Sequence, residues 1–243
     1  MNMIKTALAI SVSVVIMMQI CCTKKDLPEN PYYYDYFPII TGSWIVYDVD
    51  SIVYDELNNR VDTFYFRIRE TVKEKYIDNT GAIAYRVVQE KKRDTLAWHV
   101  NRVISHKRDK RTAERVEEGL RYIKLVFPVR PYTSWKGNAY ITYDDPWHCN
   151  FLGDWEYEYS SINEPFAING FSFDSSLVVQ QVADSGLICK NYAVEVYAKN
   201  VGLVYKYTER LTTQKITPEP FYLRAENGFI VTYSLVNYFI NSQ

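Results

Sequence analysis

The chain has 243 residues with 28 basic and 29 acidic side chains, which gives a formal net charge of −1. This balance argues against a nucleic-acid partner, because proteins that bind nucleic acids usually present a basic surface. Aromatic residues make up 16% of the chain and favour a β-rich domain, where large rings fill the core and the strand faces.

The N-terminal segment 1–21 has the organisation of a secretory signal peptide. Lys5 precedes an apolar run from Ala7 to Met18, which is shorter than the roughly 20 residues of a membrane-spanning helix. The following residues Gln19-Ile20-Cys21-Cys22 resemble the cleavage box of bacterial lipoproteins, in which lipid is attached to the cysteine that becomes the mature N-terminus. We expect lipidation at Cys22, with Cys21 as the alternative. Multiple acyl chains would anchor the protein firmly in a membrane.

Two further segments follow the signal peptide. Residues 22–36 are polar, proline-containing and tyrosine-rich, which is typical of a flexible tether. Residues 37–243 contain no internal repeat, no low-complexity block and no strong break in composition. We therefore expect them to form one domain, which this length is sufficient to support.

Alternation of apolar and polar residues indicates that this domain is built from β-strands. In the clearest segment, Thr63–Val72, Phe64 and Phe66 face one way while Arg67 and Arg69 face the other. The same pattern occurs in Trp44–Tyr54, Ile83–Glu90, Leu96–Ile104, Leu120–Phe127, Val194–Ala198 and Phe229–Leu235.

Short turn signals separate these segments, so successive strands are expected to be antiparallel neighbours. Only Thr112–Glu118 has a briefly helical pattern, and it is too short to stand alone as a helix. The predicted fold is all-β, a single antiparallel meander that forms a curved half-shell or a barrel-like sheet. A two-sheet β-sandwich is the alternative.

Four sequence blocks carry a resemblance to a known family. They are Tyr36-Phe37-Pro38 followed by Gly42, Trp44 and Tyr47; Leu125–Pro128; Trp135–Asn138; and Glu195–Tyr205. Together they resemble uncharacterised cell-envelope lipoproteins of Bacteroidetes. The resemblance implies an outer-membrane lipoprotein, facing the periplasm or exposed at the cell surface. The resemblance implies no particular activity, and it therefore identifies no functional residues.

Signatures of catalysis are missing from the sequence. There is no G-x-S-x-G elbow, H-E-x-x-H helix, P-loop or Rossmann fingerprint, and the pair His148-Cys149 lacks the spacing of a zinc site. We therefore predict no catalytic residues, metal or cofactor. Within the last family block, Glu195 is a possible site carboxylate, but an outward residue paired across the strands is the favoured interpretation.

The strongest binding candidate is the segment 131–159, which combines aromatic rings with amide and carboxylate groups. Such a mixture suits a sugar, which has apolar C–H faces and many hydroxyl groups. Aromatic residues that simply fill a β core are the alternative interpretation. The candidate ligand-binding residues are Trp135, Asn138, Asp144, Trp147 and Trp155.

Two cysteines remain after the proposed processing site, Cys149 and Cys189. An oxidising envelope compartment would permit a disulfide between them, and two unpaired thiols are the alternative.

Three functional hypotheses follow, in decreasing order of preference. The first is a non-enzymatic, membrane-anchored module that binds a glycan, a lipid or another apolar small ligand. The second is a structural or assembly partner of another envelope protein, which requires an exposed strand edge or apolar patch. The third is a glycan hydrolase, which requires two suitably placed carboxyl groups.

Overall fold

The computed structural model describes residues 33–142, 144–145 and 150–241. The predicted signal peptide, Cys21 and Cys22, and most of the predicted tether lie outside these residues. Trp147, His148 and Cys149 do as well. No helix in the described part of the chain is long and apolar enough to cross a membrane.

The described elements are mostly strands, connected by short turns. In chain order they are β1 Trp44–Asp55, β2 Arg60–Ile77, β3 Ile83–Lys92, β4 His99–Arg108, β5 Thr112–Glu117, β6 Leu120–Val126, β7 Ser134–Lys136, β8 Asp144–Asp145, β9 Asn150–Phe151, β10 Glu156–Ile168, β11 Phe171–Ser185, β12 Cys189–Ala198, β13 Gly202–Thr212 and β14 Asn227–Phe239. Short 3-10 turns occur at Tyr34–Tyr36 and Leu152–Asp154, and helix α1 spans Phe221–Arg224.

Twelve of the described strands form one antiparallel sheet in the order β6-β5-β4-β3-β2-β1-β14-β13-β12-β11-β10-β7. Most neighbours in the sheet are also neighbours in sequence, which confirms the predicted meander. The pairing of β1 with β14 joins the N-terminal and C-terminal halves of the sheet. The remaining strands, β8 and β9, pair with each other.

The helical pattern expected for Thr112–Glu118 is wrong. Thr112–Glu117 forms strand β5, which pairs with β4 on one side and β6 on the other. Hydrogen bonding to two neighbouring strands outweighs the weak local preference of so short a segment. In this strand the side chains of Arg115 and Glu117 point to the concave interior of the sheet, where both line a cavity.

The two edges of the sheet meet at a seam, so the sheet is nearly closed into a barrel. The backbone N–H of Ile123 in β6 donates to the carbonyl of Gly137, just after β7, at 2.8 Å. The indole N–H of Trp135 donates to the carbonyl of Ile123 at 2.8 Å. The Tyr159 hydroxyl accepts from Val126 N–H at 2.9 Å and donates to Val126 O at 2.6 Å. This architecture is the barrel-like form of the predicted fold, and it replaces the sandwich alternative.

The largest apolar cluster lies beside the seam. It joins β5 and β6 to β10, β11 and β12, and it includes Leu125, Tyr157 and Leu177. The end of the predicted tether contributes as well, because Tyr36 is 0% exposed and its hydroxyl shares a 2.7 Å hydrogen bond with Ser175. The ordered domain therefore includes the 3-10 turn that precedes residue 37.

The tip of the β10–β11 hairpin covers part of the outer face of the sheet. Phe166 and Phe173 pack against the cluster formed by Val204 and Leu235 on neighbouring strands. The Asn169 side chain at the tip donates to the Leu235 carbonyl at 2.9 Å. This cover leaves the opposite, concave face of β12–β14 free to form the interior.

Candidate binding cavity

The concave side of the sheet encloses a cavity of about 460 Å³. Its walls combine aromatic and aliphatic side chains with ionisable groups from strands on both sides of the seam. The charged lining residues are Glu70, Arg102, Arg115, Glu117, Glu118, Lys124, Glu195, Lys206 and Arg210. A cavity of this size is within the range of small-molecule sites, which is about 300–1,000 Å³.

A buried ion pair crosses the interior close to the seam. Lys124 Nζ lies 2.6 Å from Glu195 Oε1, and the Tyr197 hydroxyl donates to Glu195 Oε2 at 2.6 Å. Burial lowers the pKa of Lys124 to about 8, against the opposing effect of Glu195. Burial alone would raise the pKa of Glu195, but Lys124 and Lys206 outweigh it and hold that pKa below its usual value. Both partners are therefore charged at neutral pH.

The interpretation of Glu195 as an outward, cross-strand residue is wrong. Glu195 is 1% exposed and lies on the cavity wall. Alternation along β12 places Glu195 and Tyr197 on the interior face, while Val196 between them packs in the outer cluster. The sequence block gave no partner for the carboxylate, because Lys124 lies 71 residues away along the chain.

A second charged network lines the wall formed by β2, β4 and β5. Arg115 contacts Glu70 at 2.6 Å and Glu117 at 2.8 Å, and Arg102 contacts Glu117 at 2.7 Å. Burial, together with the neighbouring Arg115, lowers the pKa of His106 to about 3, so this imidazole is neutral. Arg115 lowers the pKa values of Glu70 and Glu117 against the effect of burial, so both carboxylates on this wall are ionised at neutral pH.

Two of the predicted ligand-binding residues, Asn138 and Trp155, line the cavity. Asn138 is 0% exposed; its amide donates to the Leu152 carbonyl at 2.7 Å and accepts from the Tyr157 hydroxyl at 2.9 Å. Trp155 is 8% exposed, and the Arg210 guanidinium lies 6.0 Å from its ring centroid. Asn138 therefore fixes the wall that Trp155 and Tyr157 form.

The other predicted candidates have different positions. Trp135 is half-buried at the seam, where its ring packs 4.7 Å from that of Tyr159. Asp144 lies in β8, whose backbone pairs with Phe151. Trp147 lies outside the described residues, so its role stays a prediction.

Of the two cysteines in the predicted disulfide, Cys189 lies within the described residues. Cys189, at the start of β12, is disulfide-bonded. Cys149 lies outside the described residues, and its pairing with Cys189 therefore stays a prediction.

Sequence reasoning missed several polar residues of the cavity, notably Gln181, Lys206 and Arg210. Lys206, Thr208 and Arg210 alternate along β13, and this period-two run of polar residues was the available signal. It was not decisive, because Tyr207 and Glu209 on the other face are also polar. In the described part of the chain, no group of three or more His, Cys, Asp or Glu side chains is placed to hold a metal ion.

The fold and the cavity define a class of all-β protein, a nearly closed antiparallel meander with a charged and aromatic interior. No family model and no curated protein sequence matches the chain.

Two solved structures are similar in fold. One is a protein from Bacteroides fragilis described as exported and as having a YmcC-like fold. It is 11% identical, with a TM-score of 0.34, and the match covers 83% of this chain and 98% of that chain. The other is a protein from Parabacteroides distasonis described as a lipoprotein. It is 11% identical, with a TM-score of 0.36, and the match covers 84% and 98% of the two chains.

Proposed function

We propose that the chain is an exported, lipid-anchored envelope protein whose barrel interior binds a glycan. The observation that carries the binding part is the interior cavity of about 460 Å³, with Trp155 and Tyr157 beside hydrogen-bonding and charged groups. Aromatic faces suit the C–H surfaces of a sugar, and polar groups suit its hydroxyls.

The charged lining favours a glycan over a lipid. An acyl chain placed against Lys206 or Arg102 would remove water from charged groups without returning hydrogen bonds to them, which is unfavourable. A sugar replaces those waters with hydroxyl groups. The mixed wall therefore supports the glycan version of the binding hypothesis.

The same lining favours binding over hydrolysis. A glycoside hydrolase needs one carboxyl group whose pKa is raised, so that it can donate a proton to the leaving group. In this cavity Arg115 and neighbouring cations outweigh burial and lower the pKa of Glu117 to about 2. The pKa values of Glu70 and Glu195 are also lowered, by Arg115 and Lys124 respectively, against the effect of burial.

The anchoring part of the proposal rests on the sequence around Cys22. We infer an outer-membrane location, with the domain facing the periplasm or the cell surface. Metabolic labelling with an alkyne fatty acid in a bacterium that processes lipoproteins tests this. Label should be retained in Cys21→Ala and lost in Cys22→Ala. Label lost only in Cys21→Ala would move the acylation site to Cys21, and no label on the parent protein would overturn lipidation.

A cavity-blocking variant tests the binding part. Ser51 lines the cavity from β1, so Ser51→Trp should fill part of it. Thr232, on β14, is the matched control, because its neighbours Val231 and Tyr233 line the cavity and its own side chain faces away. Binding of glucose, galactose, mannose and N-acetylglucosamine to the full chain would be measured by ligand-observed NMR.

We expect at least one of these sugars to bind the parent protein and Thr232→Trp alike, and to bind Ser51→Trp about ten-fold more weakly or not at all. Circular dichroism would establish that both variants are folded. Equal binding to both variants would place the sugar outside the cavity. Palmitate binding that Ser51→Trp blocks, without any sugar binding, would overturn the glycan version in favour of a lipid.

A further inference from the structure

A buried amide in the cavity wall lacks a hydrogen-bond partner. Gln181 is 3% exposed, lies at a bulge of β11 and lines the cavity. Its Nε2 has no acceptor among the described residues. Buried donors are almost always satisfied in folded proteins, so this group points to an acceptor that is supplied from outside the chain.

A partly buried ammonium, that of Lys206, lies on the same wall, two strands away from Gln181. Ala193 on β12 pairs with Val182, next to the β11 bulge that contains Gln181, and on its other side with Thr208 of β13. Both Gln181 and Thr208 line the cavity. Lys206 is the next interior residue of β13. The strand register therefore brings the Gln181 amide, the Thr208 hydroxyl and the Lys206 ammonium to one region of the wall.

The Lys206 ammonium has no carboxylate bound to it. It lies 5.6 Å from the centroid of the Tyr233 ring and makes no ion pair within 4.0 Å among the described residues. Its cross-strand neighbour is Glu195, whose two oxygens are already bonded to Lys124 and Tyr197. An anion that enters the cavity therefore does not have to displace an existing partner of Lys206.

The charge of the whole lining points in the same direction. Among the described lining residues there are five basic side chains against four carboxylates, with His106 neutral. Arg102 and Arg115 hold Glu117 and Glu70, and Lys124 holds Glu195. Arg102 also contacts Glu118 at 2.8 Å, so each lining carboxylate has a basic partner other than Lys206.

We propose that Gln181 and Lys206 form an anion subsite, and that the glycan bound in the cavity is an acidic sugar, with a carboxylate or a phosphate group. This inference rests on the proposed function and specifies its ligand. The ammonium supplies a charge-assisted hydrogen bond to an anionic oxygen, and the amide supplies a second donor. Trp155 and Tyr157 are left to contact the sugar ring.

The test compares matched neutral and acidic probes on the full chain. Glucose, glucuronic acid, glucose 6-phosphate and inorganic phosphate would be titrated by NMR. We expect one acidic sugar or both to bind about ten-fold more tightly than glucose, as a charge-assisted hydrogen bond implies. Preference for the carboxylate or the phosphate probe identifies the anionic group.

Three variants assign the preference to the subsite. Lys206→Met should abolish the preference, because it weakens binding of the acidic sugar more than binding of glucose, and Lys206→Arg should retain it. Lys75→Met is the control, because Lys75 is exposed on β2 and does not line the cavity. Gln181→Leu should also weaken acidic probes more than glucose, which keeps the proposal testable if Lys206→Met does not fold.

The outcomes separate this inference from the proposed function. Equal binding of glucose and both acidic sugars would overturn the anion subsite and leave glycan binding intact. A preference that survives in Lys206→Met would overturn the assignment to these residues. Phosphate binding that depends on Lys206, without binding of any sugar, would support the subsite and overturn the glycan. No binding of any probe would overturn both.

Discussion

Lys124 on β6 and Glu195 on β12 form a 2.6 Å ion pair across the interior of the barrel. These strands are not neighbours in the sheet, so the pair connects its two halves near the seam. A charged pair in such a position restricts how the two edges can approach each other, because the carboxylate and the ammonium must be satisfied together.

Removing one partner of this pair should destabilise the protein strongly. We expect Lys124→Met to lower the free energy of unfolding by about 3–5 kcal/mol, since Glu195 would remain buried without its partner. The double variant Lys124→Met/Glu195→Gln should regain much of this loss, because no buried charge remains. Urea unfolding measures both.

The exposed pair of Arg67 and Asp48, at 2.7 Å, provides the control for this experiment. Arg67→Ala should change the free energy of unfolding by less than about 1 kcal/mol. A Lys124→Met variant as stable as Arg67→Ala would contradict the structural role of the interior pair.

Acidification should weaken the fold through Glu117. Burial alone would raise the pKa of this carboxyl, but Arg115, Lys206 and Arg102 outweigh it and lower the pKa from 4.5 to about 2. Because the folded pKa is the lower one, the stabilisation is complete above about pH 4.5 and is lost as the pH falls through about 2. We expect a loss of up to about 3 kcal/mol across this window.

Urea unfolding at a series of pH values checks this prediction. Glu117→Gln should be less stable at neutral pH and should depend less on pH in the same window. Parallel stability curves for the parent protein and Glu117→Gln would show that another group dominates.

The cavity wall should depend on the amide of Asn138. Asn138→Ala leaves both the Leu152 carbonyl and the Tyr157 hydroxyl without their partner, so we expect it to cost about 2–4 kcal/mol. Tyr157→Phe removes only one of these hydrogen bonds and should cost about 1 kcal/mol. Thermal and urea unfolding compare the two variants, and equal costs would contradict the dual role of the amide.

Two glycines with positive φ angles should respond differently to substitution. Gly228 has a φ of 116°, and a Cβ there would overlap the carbonyl of Arg210 on β13. We expect Gly228→Ala to cost about 3 kcal/mol or more, because strand β14 would have to move. Gly81 has a φ of 78° with open space around it, so Gly81→Ala should cost only about 1–2 kcal/mol. Similar melting temperatures for both variants would refute this distinction.

The disulfide at Cys189 should stabilise the domain by about 3–4 kcal/mol on the chain-entropy account. Cys189→Ser should lose this amount under oxidising conditions and match the parent protein once that protein is reduced. Peptide mapping without reduction should recover a Cys149–Cys189 linked peptide. A linkage from Cys189 to a different cysteine would contradict the pairing.

The sequence predicted the fold well, because strand alternation is a local property. Thr63–Val72 and its neighbours have clear faces, and their short turns leave few topologies other than a meander. The helical pattern at Thr112–Glu118 failed for the opposite reason: the segment is a strand only because two neighbours pair with it.

The site was less predictable, because its groups meet through the closure of the sheet. Asn138 and Trp155 were identified from composition, and the structure places both on the cavity wall. Lys206 and Gln181 were missed, since polar residues inside a barrel cannot be distinguished locally from polar residues outside it. The misassigned Glu195 shows the same difficulty, because its partner Lys124 is remote in sequence.

The pairing of β1 with β14 also sets the order in which the interior can be completed. β1 receives its second neighbour from the final described strand, so the barrel cannot close before that strand has emerged. During synthesis, or passage through a membrane as a linear chain, β1–β13 precede β14, so Glu195 and Lys206 are present before β14 joins the two halves of the sheet. Closure of the cavity therefore has to wait for β14, and a ligand in solution has no enclosed site to enter until that strand has joined β1 and β13.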